Sequence, residues 1–241
     1  MNSSIKTTEM NISYDFFEAT FIERPNRFIT RVKLNSEIID SHLPDPGRLT
    51  ELLIPGAKLL LKAENSPKRK TQFSTQAVLF NNIIISLNTL IPNKFVSYLI
   101  KNKSLCFLSD WSFKKQEITY GHSRFDFQVQ NNKKTMIIEV KSVTLVENKI
   151  AKFPDAVTKR GKKHVDHLGE LASQGINAMI LFVVQRHDVK KFKPQWDIDP
   201  QFSQSLLDAN RKGVNIHVIK MKMTYKAFIY KGEIPFDLEK K

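Results

Sequence analysis

A chain of 241 residues, 41% of them hydrophobic and 17 of them phenylalanine, can bury one large core or two small ones. It has no run of about 18 apolar residues, and its first ten residues are polar without an apolar signal segment, so neither a membrane partner nor secretion is expected. The formal net charge of +14 points to a polyanionic partner through counterion release, although a chain rich in Lys, Asn and Ile also arises from AT-rich coding bias.

The N-terminal third reads as short strands over Phe16–Ile22, Arg27–Leu34, Glu37–His42, Ala57–Lys62, Ala77–Phe80 and Ile83–Leu87. Leu43-Pro44-Asp45-Pro46-Gly47-Arg48 is a turn, because its two prolines cannot sit inside a sheet. Ser66–Lys70 is a basic loop, and Asn81-Asn82 suits a hairpin turn because Asn tolerates positive φ. Residues 13–88 therefore suggest a small barrel of the oligonucleotide-binding (OB) type, and an SH3-like barrel fits the same pattern.

Residues 89–241 have a different character. Pro92–Lys103 predicts a helix with Pro92 in its first turn. Cys106, the single cysteine, allows no internal disulfide or thiolate zinc cluster; beside Phe107 and Leu108 it suggests a packed thiol in a reducing, cytoplasmic setting. Ile118–Val129 and Lys134–Val140 predict two strands joined through Asn131-Asn132. Thr158–Gln174 predicts a helix capped by Thr158 and ended by Gly175. Ala178–Val184 reads as a strand covered on both faces, Pro200–Lys212 as a helix stopped by Gly213, and Val214–Ile219 as a further buried strand. This order implies an α/β layer domain with a sheet flanked by helices, and a frayed Lys-rich tail.

The chemistry-bearing block is Ser123-Arg124-Phe125-Asp126-Phe127 followed by Ile137-Ile138-Glu139-Val140-Lys141. Glu139 and Lys141 are two apart on a strand and share a face, while Ile138 and Val140 take the other. An antiparallel neighbour brings Asp126 to the same edge. Two carboxylates can hold Mg²⁺ or Mn²⁺ through hard oxygens, and Lys141 can position water or stabilise the transition state. A weak surface ion pair between Glu139 and Lys141 is the bland alternative. Glu117 is a further candidate ligand, with an exposed charge as its alternative. The basic run Lys159-Arg160-Gly161-Lys162-Lys163-His164 opens a helix, where the dipole and the cations both favour a phosphate; a solvated face is the alternative for the run, and a structural role for His164 alone.

These residues carry a resemblance. The Pro-rich Gly-Arg turn, Ser123-Arg124-x-Asp126-Phe127, Glu139-Val140-Lys141-Ser142-Val143-Thr144, and Phe153-Pro154-Asp155-Ala156-Val157-Thr158 leading to Arg160-Gly161-x-Lys163-His164 resemble the sugar fermentation stimulation protein A family, over about Phe21 to Ile219. The resemblance implies an OB barrel followed by a domain similar to the PD-(D/E)xK nuclease superfamily, with Asp126, Glu139 and Lys141 in the nuclease motif. It also implies DNA binding without clear sequence preference and a link to regulation of sugar use. One departure lies in the turn, where the family's usual Asn-Thr-Gly-Arg is replaced by Asp45-Pro46-Gly47-Arg48. A carboxylate at a phosphate is repulsive, which puts contact at that loop in question, though Arg48 can still bind one.

Two functions follow as expectations. One is a Mg²⁺- or Mn²⁺-dependent DNA nuclease using Asp126, Glu139 and Lys141, with Asp126, Glu139 and Glu117 as metal candidates. The other is a non-catalytic DNA-binding regulatory protein. In both, Arg27, Arg48, Arg124, Lys159, Arg160, Lys163 and His164 are the expected DNA contacts, RNA is an alternative ligand, and the sequence sets no oligomeric state.

Overall fold

The computed structural model describes residues 8–240. Residues 1–7, most of the polar opening segment, and Lys241 at the end of the Lys-rich tail lie outside them.

The barrel strands are β2 (Phe17–Asn26), β3 (Ile29–Leu34), β4 (Glu37–His42), β5 (Lys58–Ala63) and β6 (Phe73–Phe80). A short β1 (Glu9–Asn11) precedes them and β7 (Ile83–Ser86) follows. The pairings β3–β4, β2–β3, β2–β5 and β5–β6 are antiparallel, and a parallel contact of β4 with β6 at His42↔Ser74 closes the ring. That closure is the OB arrangement, and it decides between the two barrel types the strand pattern allowed. Leu59, Leu61, Phe21, Val32 and Val78 fill the barrel. β6 starts four residues earlier than its apolar run suggests. Its polar opening is paid for inside the barrel, where Thr30, Thr75 and Ser41 are buried and joined by a chain of hydroxyl hydrogen bonds of 2.6 and 3.0 Å.

The second layer system begins with α1 (Ile91–Lys101) and continues through β8 (Ser112–Tyr120), β9 (Ser123–Asn131) and β10 (Lys134–Val143). Next come the small hairpin β11 (Val146–Glu147) and β12 (Ile150–Phe153), then α2 (Lys159–Ser173), β13 (Asn177–Val184) and β14 (Lys191–Pro194). The chain ends with α3 (Pro200–Arg211), β15 (Asn215–Met223) and β16 (Ala227–Glu233). The sheet order β15-β13-β10-β9-β8 is parallel for β10, β13 and β15 and antiparallel for β8, β9 and β10. α1 packs Phe95, Val96, Leu99 and Ile100 against one face; α2 and α3 pack Val165, Leu168, Phe202 and Leu206 against the other. β13, buried from Ala178 to Val184, is the strand between the two cores, and each large apolar side chain there contributes roughly 1.5–3 kcal/mol.

Four expectations are corrected. The single strand over Ile118–Val129 is a hairpin, broken at Gly121 (φ 53°) and His122, because the apolar residues on both sides concealed the turn. Cys106 is exposed rather than packed: Leu105 and Leu108 of the same short turn point inward, and Phe107 stacks on His217 at 3.9 Å. The buried strand ending at Ile219 runs on to Met223 and is covered by β16, which has no clear alternation. The tail docks as far as Leu238, which is 5% exposed, and Asp237 accepts from Lys191 and Lys193 at 3.0 Å.

A candidate metal-dependent catalytic site

β9 and β10 pair antiparallel from Lys134↔Asn131 to Ile138↔Phe127, and there the ladder stops. Beyond that point β9 turns away: Phe125 packs on the α2 side of the sheet while Phe127 packs on the α1 side. The Asp126 side chain takes over the acceptor role that the strand gives up, and its Oδ2 accepts from the backbone N–H of Val140 at 2.7 Å. Its Oδ1 accepts from Asn93 Nδ2 at 2.6 Å. Asn93 belongs to the first turn of α1, so Asp126 is fixed from the α1 side.

Glu139 is fixed from the opposite side. It lies on the face of β10 shared with Ile137 and Val143, against α2. It is 5% exposed, and its Oε1 meets Lys141 Nζ at 2.7 Å and His164 Nδ1 at 2.6 Å. Thr158 starts α2 by accepting from Gly161 N at 3.0 Å, and this places His164 one turn and a half along the helix, over the strand.

The charges in this site are strongly perturbed. Burial pushes the Asp126 carboxyl up to about 6, and the neighbouring charge of Glu139 adds to the rise; the bonds from Val140 and Asn93 and the charge of Lys141 oppose it. Burial also acts to raise Glu139, but Lys141 and His164 outweigh it and hold that carboxyl below its usual range. The charge of Glu139 therefore acts on Asp126 in a desolvated place and makes Asp126 the carboxyl that holds its proton longer. Such an arrangement costs folding energy and marks a functional site more often than a structural one.

The structure brings Asp126, Glu139 and Lys141 together, as the strand spacing predicts. His164, expected among the DNA contacts with a structural role as the alternative, joins them; it is 8% exposed and committed to Glu139. Glu117 does not join. It is exposed, with φ 54°, and its carboxylate lies 3.9 Å from Arg124. Asn93 was not found from sequence, since an Asn after a helix-starting proline carries no signal of what it will face. Lys159, Arg160 and Lys163 are exposed at the start of α2, and Arg27, Arg48 and Arg124 are exposed as well.

A divalent cation fits this donor set. A buried carboxylate and a half-buried one that repel each other gain from a shared positive charge, and oxygen donors suit Mg²⁺ or Mn²⁺, which keep several waters as ligands. Asp126 and Glu139 are the residues that would hold it. Among the described residues no group of three or more His, Cys, Asp or Glu side chains is arranged to hold a metal, so water or substrate oxygens must complete the shell.

The turn Pro44–Arg48 is fastened to the segments that lead into α1 and α2, through Thr89 and Asp155. The Asp45 side chain is 5% exposed and accepts from Gly47 N at 2.8 Å, so it faces inward and not toward a phosphate. Burial pushes its carboxyl up to about 7, with Asp155 adding to the rise and the Gly47 bond and Arg24 opposing it. A cavity of about 30 Å³ lies among Asp45, Thr89, Ser142, Thr144, Lys152 and Asp155.

Comparison with known proteins agrees with this fold. Residues 22–87 match the family model described as the SfsA N-terminal OB domain, and residues 90–227 match that of the sugar fermentation stimulation protein RE domain. A sugar fermentation stimulation protein homolog of Clostridium tetani is 38% identical over 226 residues, covering 93% of this chain and 98% of the relative. One from Alkaliphilus metalliredigens is 39% identical over 207 residues, 85% of this chain and 89% of the relative. The solved structure of Pyrococcus furiosus SfsA in complex with Ca²⁺ superposes with a TM-score of 0.88 at 29% identity, covering 95% of this chain and 98% of the other.

Proposed function

This chain belongs to the sugar fermentation stimulation protein family, and from that premise we propose that it is a DNA-binding protein whose second domain hydrolyses phosphodiesters with a divalent metal. The observation that carries the reading is the convergence of half-buried Asp126 and buried Glu139, each pinned by a different helix, with Lys141 bonded to Glu139. The calcium named for the Pyrococcus furiosus relative supports a divalent ion as a ligand of this fold.

Each side chain has a definite task. Asn93 and the Val140 N–H orient Asp126. His164 and Lys141 hold Glu139 ionised despite its burial. Lys141, 12% exposed at its side chain, keeps an ammonium at the site edge that can contact an attacking water or a phosphoryl oxygen. The metal, when bound, would lower the pKa of a water and offset charge on the phosphate. Lys159, Arg160 and Lys163 supply phosphate contacts at the start of α2.

The test is cleavage of labelled DNA with Mg²⁺ or Mn²⁺, run beside Asp126→Ala and Lys141→Ala. Loss of cleavage in both variants is expected, and activity that survives both defeats the proposal. A second reading, a DNA-binding regulator that does not cut, is favoured by the fact that both oxygens of Asp126 already accept hydrogen bonds. It predicts no cleavage by the wild type, and salt-sensitive binding that Asp126→Ala leaves intact or tightens.

A further inference from the structure

The Arg24 guanidinium donates to four carbonyl oxygens, those of Gly47 at 2.6 Å, Arg48 at 2.7 Å, Arg27 at 2.8 Å and Asp45 at 2.9 Å. These carbonyls belong to two loops. One is the β2–β3 hairpin with Arg27 and Phe28, and the other is the Pro44–Arg48 turn. The turn is itself fastened to both helix starts. Thr89 Oγ1, two residues before α1, donates to Pro44 O at 2.6 Å; Asp155 Oδ2, four residues before α2, accepts from Arg48 N at 2.9 Å. α1 then holds Asp126 through Asn93, and α2 holds Glu139 through His164. A continuous series of hydrogen bonds and helix turns thus links the barrel hairpin to both carboxylates.

What this rim exposes is unsuited to phosphate alone. Phe28 is 45% exposed, and the Arg27 guanidinium lies 4.9 Å from its ring centroid. Leu90 and Val157, beside the two helix starts, are 62% and 64% exposed. Single exposed apolar residues are ordinary, and Ile38 and Ile54 elsewhere on the barrel are examples. Here three of them stand within two residues of groups bonded to the turn or to Leu43 just before it, in the same segments as the exposed cations Arg27, Arg48, Lys159 and Arg160. Cations bind the phosphates of any nucleic acid. A ring or an aliphatic side chain gains most from the flat face of a base, and in a duplex the base faces are already stacked. An unpaired strand offers a free face at every base.

We propose that Phe28, Leu90 and Val157, with Arg27 and Arg48, form a rim that selects unpaired DNA, so that the strand delivered to Asp126 and Glu139 is single-stranded. This rests on the phosphodiesterase reading, and its test is made on binding so that the two fail separately. The full chain is titrated in EDTA against a labelled 20-nucleotide DNA strand, the matching duplex and RNA of the same sequence, with anisotropy as the readout. The single strand is expected to bind about tenfold tighter than the duplex. Phe28→Ala should weaken single-strand binding about tenfold, leave duplex binding within about twofold, and be rescued by Phe28→Tyr. Leu90→Ser should act in the same direction. Equal or tighter duplex binding overturns the inference, as does a Phe28→Ala loss that is the same for both forms. Tighter binding of RNA overturns the assignment to DNA. Single-strand preference without metal-dependent cleavage sustains the rim and overturns the nuclease reading instead.

Discussion

Asp45 carries the sharpest stability prediction. Its carboxyl is buried, is pushed up to about 7 by that burial, and accepts a hydrogen bond from Gly47 N–H through Oδ1. In the unfolded chain it titrates near 3.8. The folded state therefore keeps a proton that the unfolded chain has released. Its stabilising effect is complete below pH 4, is lost as pH rises toward about 7, and stays lost above that. The gap is about three powers of ten in proton affinity, and each is worth about 1.4 kcal/mol, so the ionised form costs the fold on the order of 4 kcal/mol at pH 8. Asp45→Asn keeps the oxygen that accepts from Gly47 and has no proton to lose. Urea unfolding of both proteins from pH 4.5 to 8.5 should show curves that nearly meet at the acid end and diverge through neutrality, with the Asn variant more stable by about 2–4 kcal/mol at pH 8; relaxation of the turn trims the full value. A difference that does not change with pH would refute the reasoning, since it would mean that Asp45 is ionised and solvated in the native protein.

Gly47→Ala should fail to fold or lose several degrees of Tm in a thermal melt, because a Cβ there would lie 2.2 Å from Asp155 Oδ2 and 2.9 Å from Asp45 Oδ1. His164→Ala leaves Glu139 buried with Lys141 as its remaining partner at Oε1, so a loss of about 1–3 kcal/mol in denaturant unfolding is expected together with reduced cleavage. Mn²⁺ affinity by calorimetry should fall as pH drops below about 6, because Asp126 must then give up a proton to bind metal; affinity that is flat from pH 7 to 5 would contradict the buried, proton-retaining carboxyl.

The sequence spoke clearly where a local pattern has a local cause. Glu139 and Lys141 share a face because side chains alternate along a strand, and Thr158 caps α2 because its hydroxyl meets the N–H of Gly161. It was silent where the cause is distant. Asn93 acquires its role only because α1 lands over the end of the β9–β10 ladder, and β16 is a strand because β15 offers it an edge. His164 was legible as a cation at a helix start, but its partner is 25 residues away and its burial cannot be read locally. Asp45 was read as repelling phosphate, and the reading reversed because the turn folds its side chain inward against Asp155.

The short β1 has a consequence for how this chain can be divided. Glu9–Asn11 pairs antiparallel with Ile229–Ala227 of β16, and Met10, Ile12 and Phe16 pack against the α1-side core. The barrel is thus an insert, spliced between the first strand of the larger domain and all the rest of it. A chain shortened to begin at residue 89 would keep every catalytic candidate yet strip β16 of β1, its neighbour on the side away from β15, leaving a bare strand edge over uncovered apolar surface that invites self-association. Excising the barrel and joining β1 to α1 through a flexible linker keeps that edge covered, though it removes the β7 contact with β15 at Ile84↔Met223 and the packing of Leu60 and Ala77 on the α1-side core.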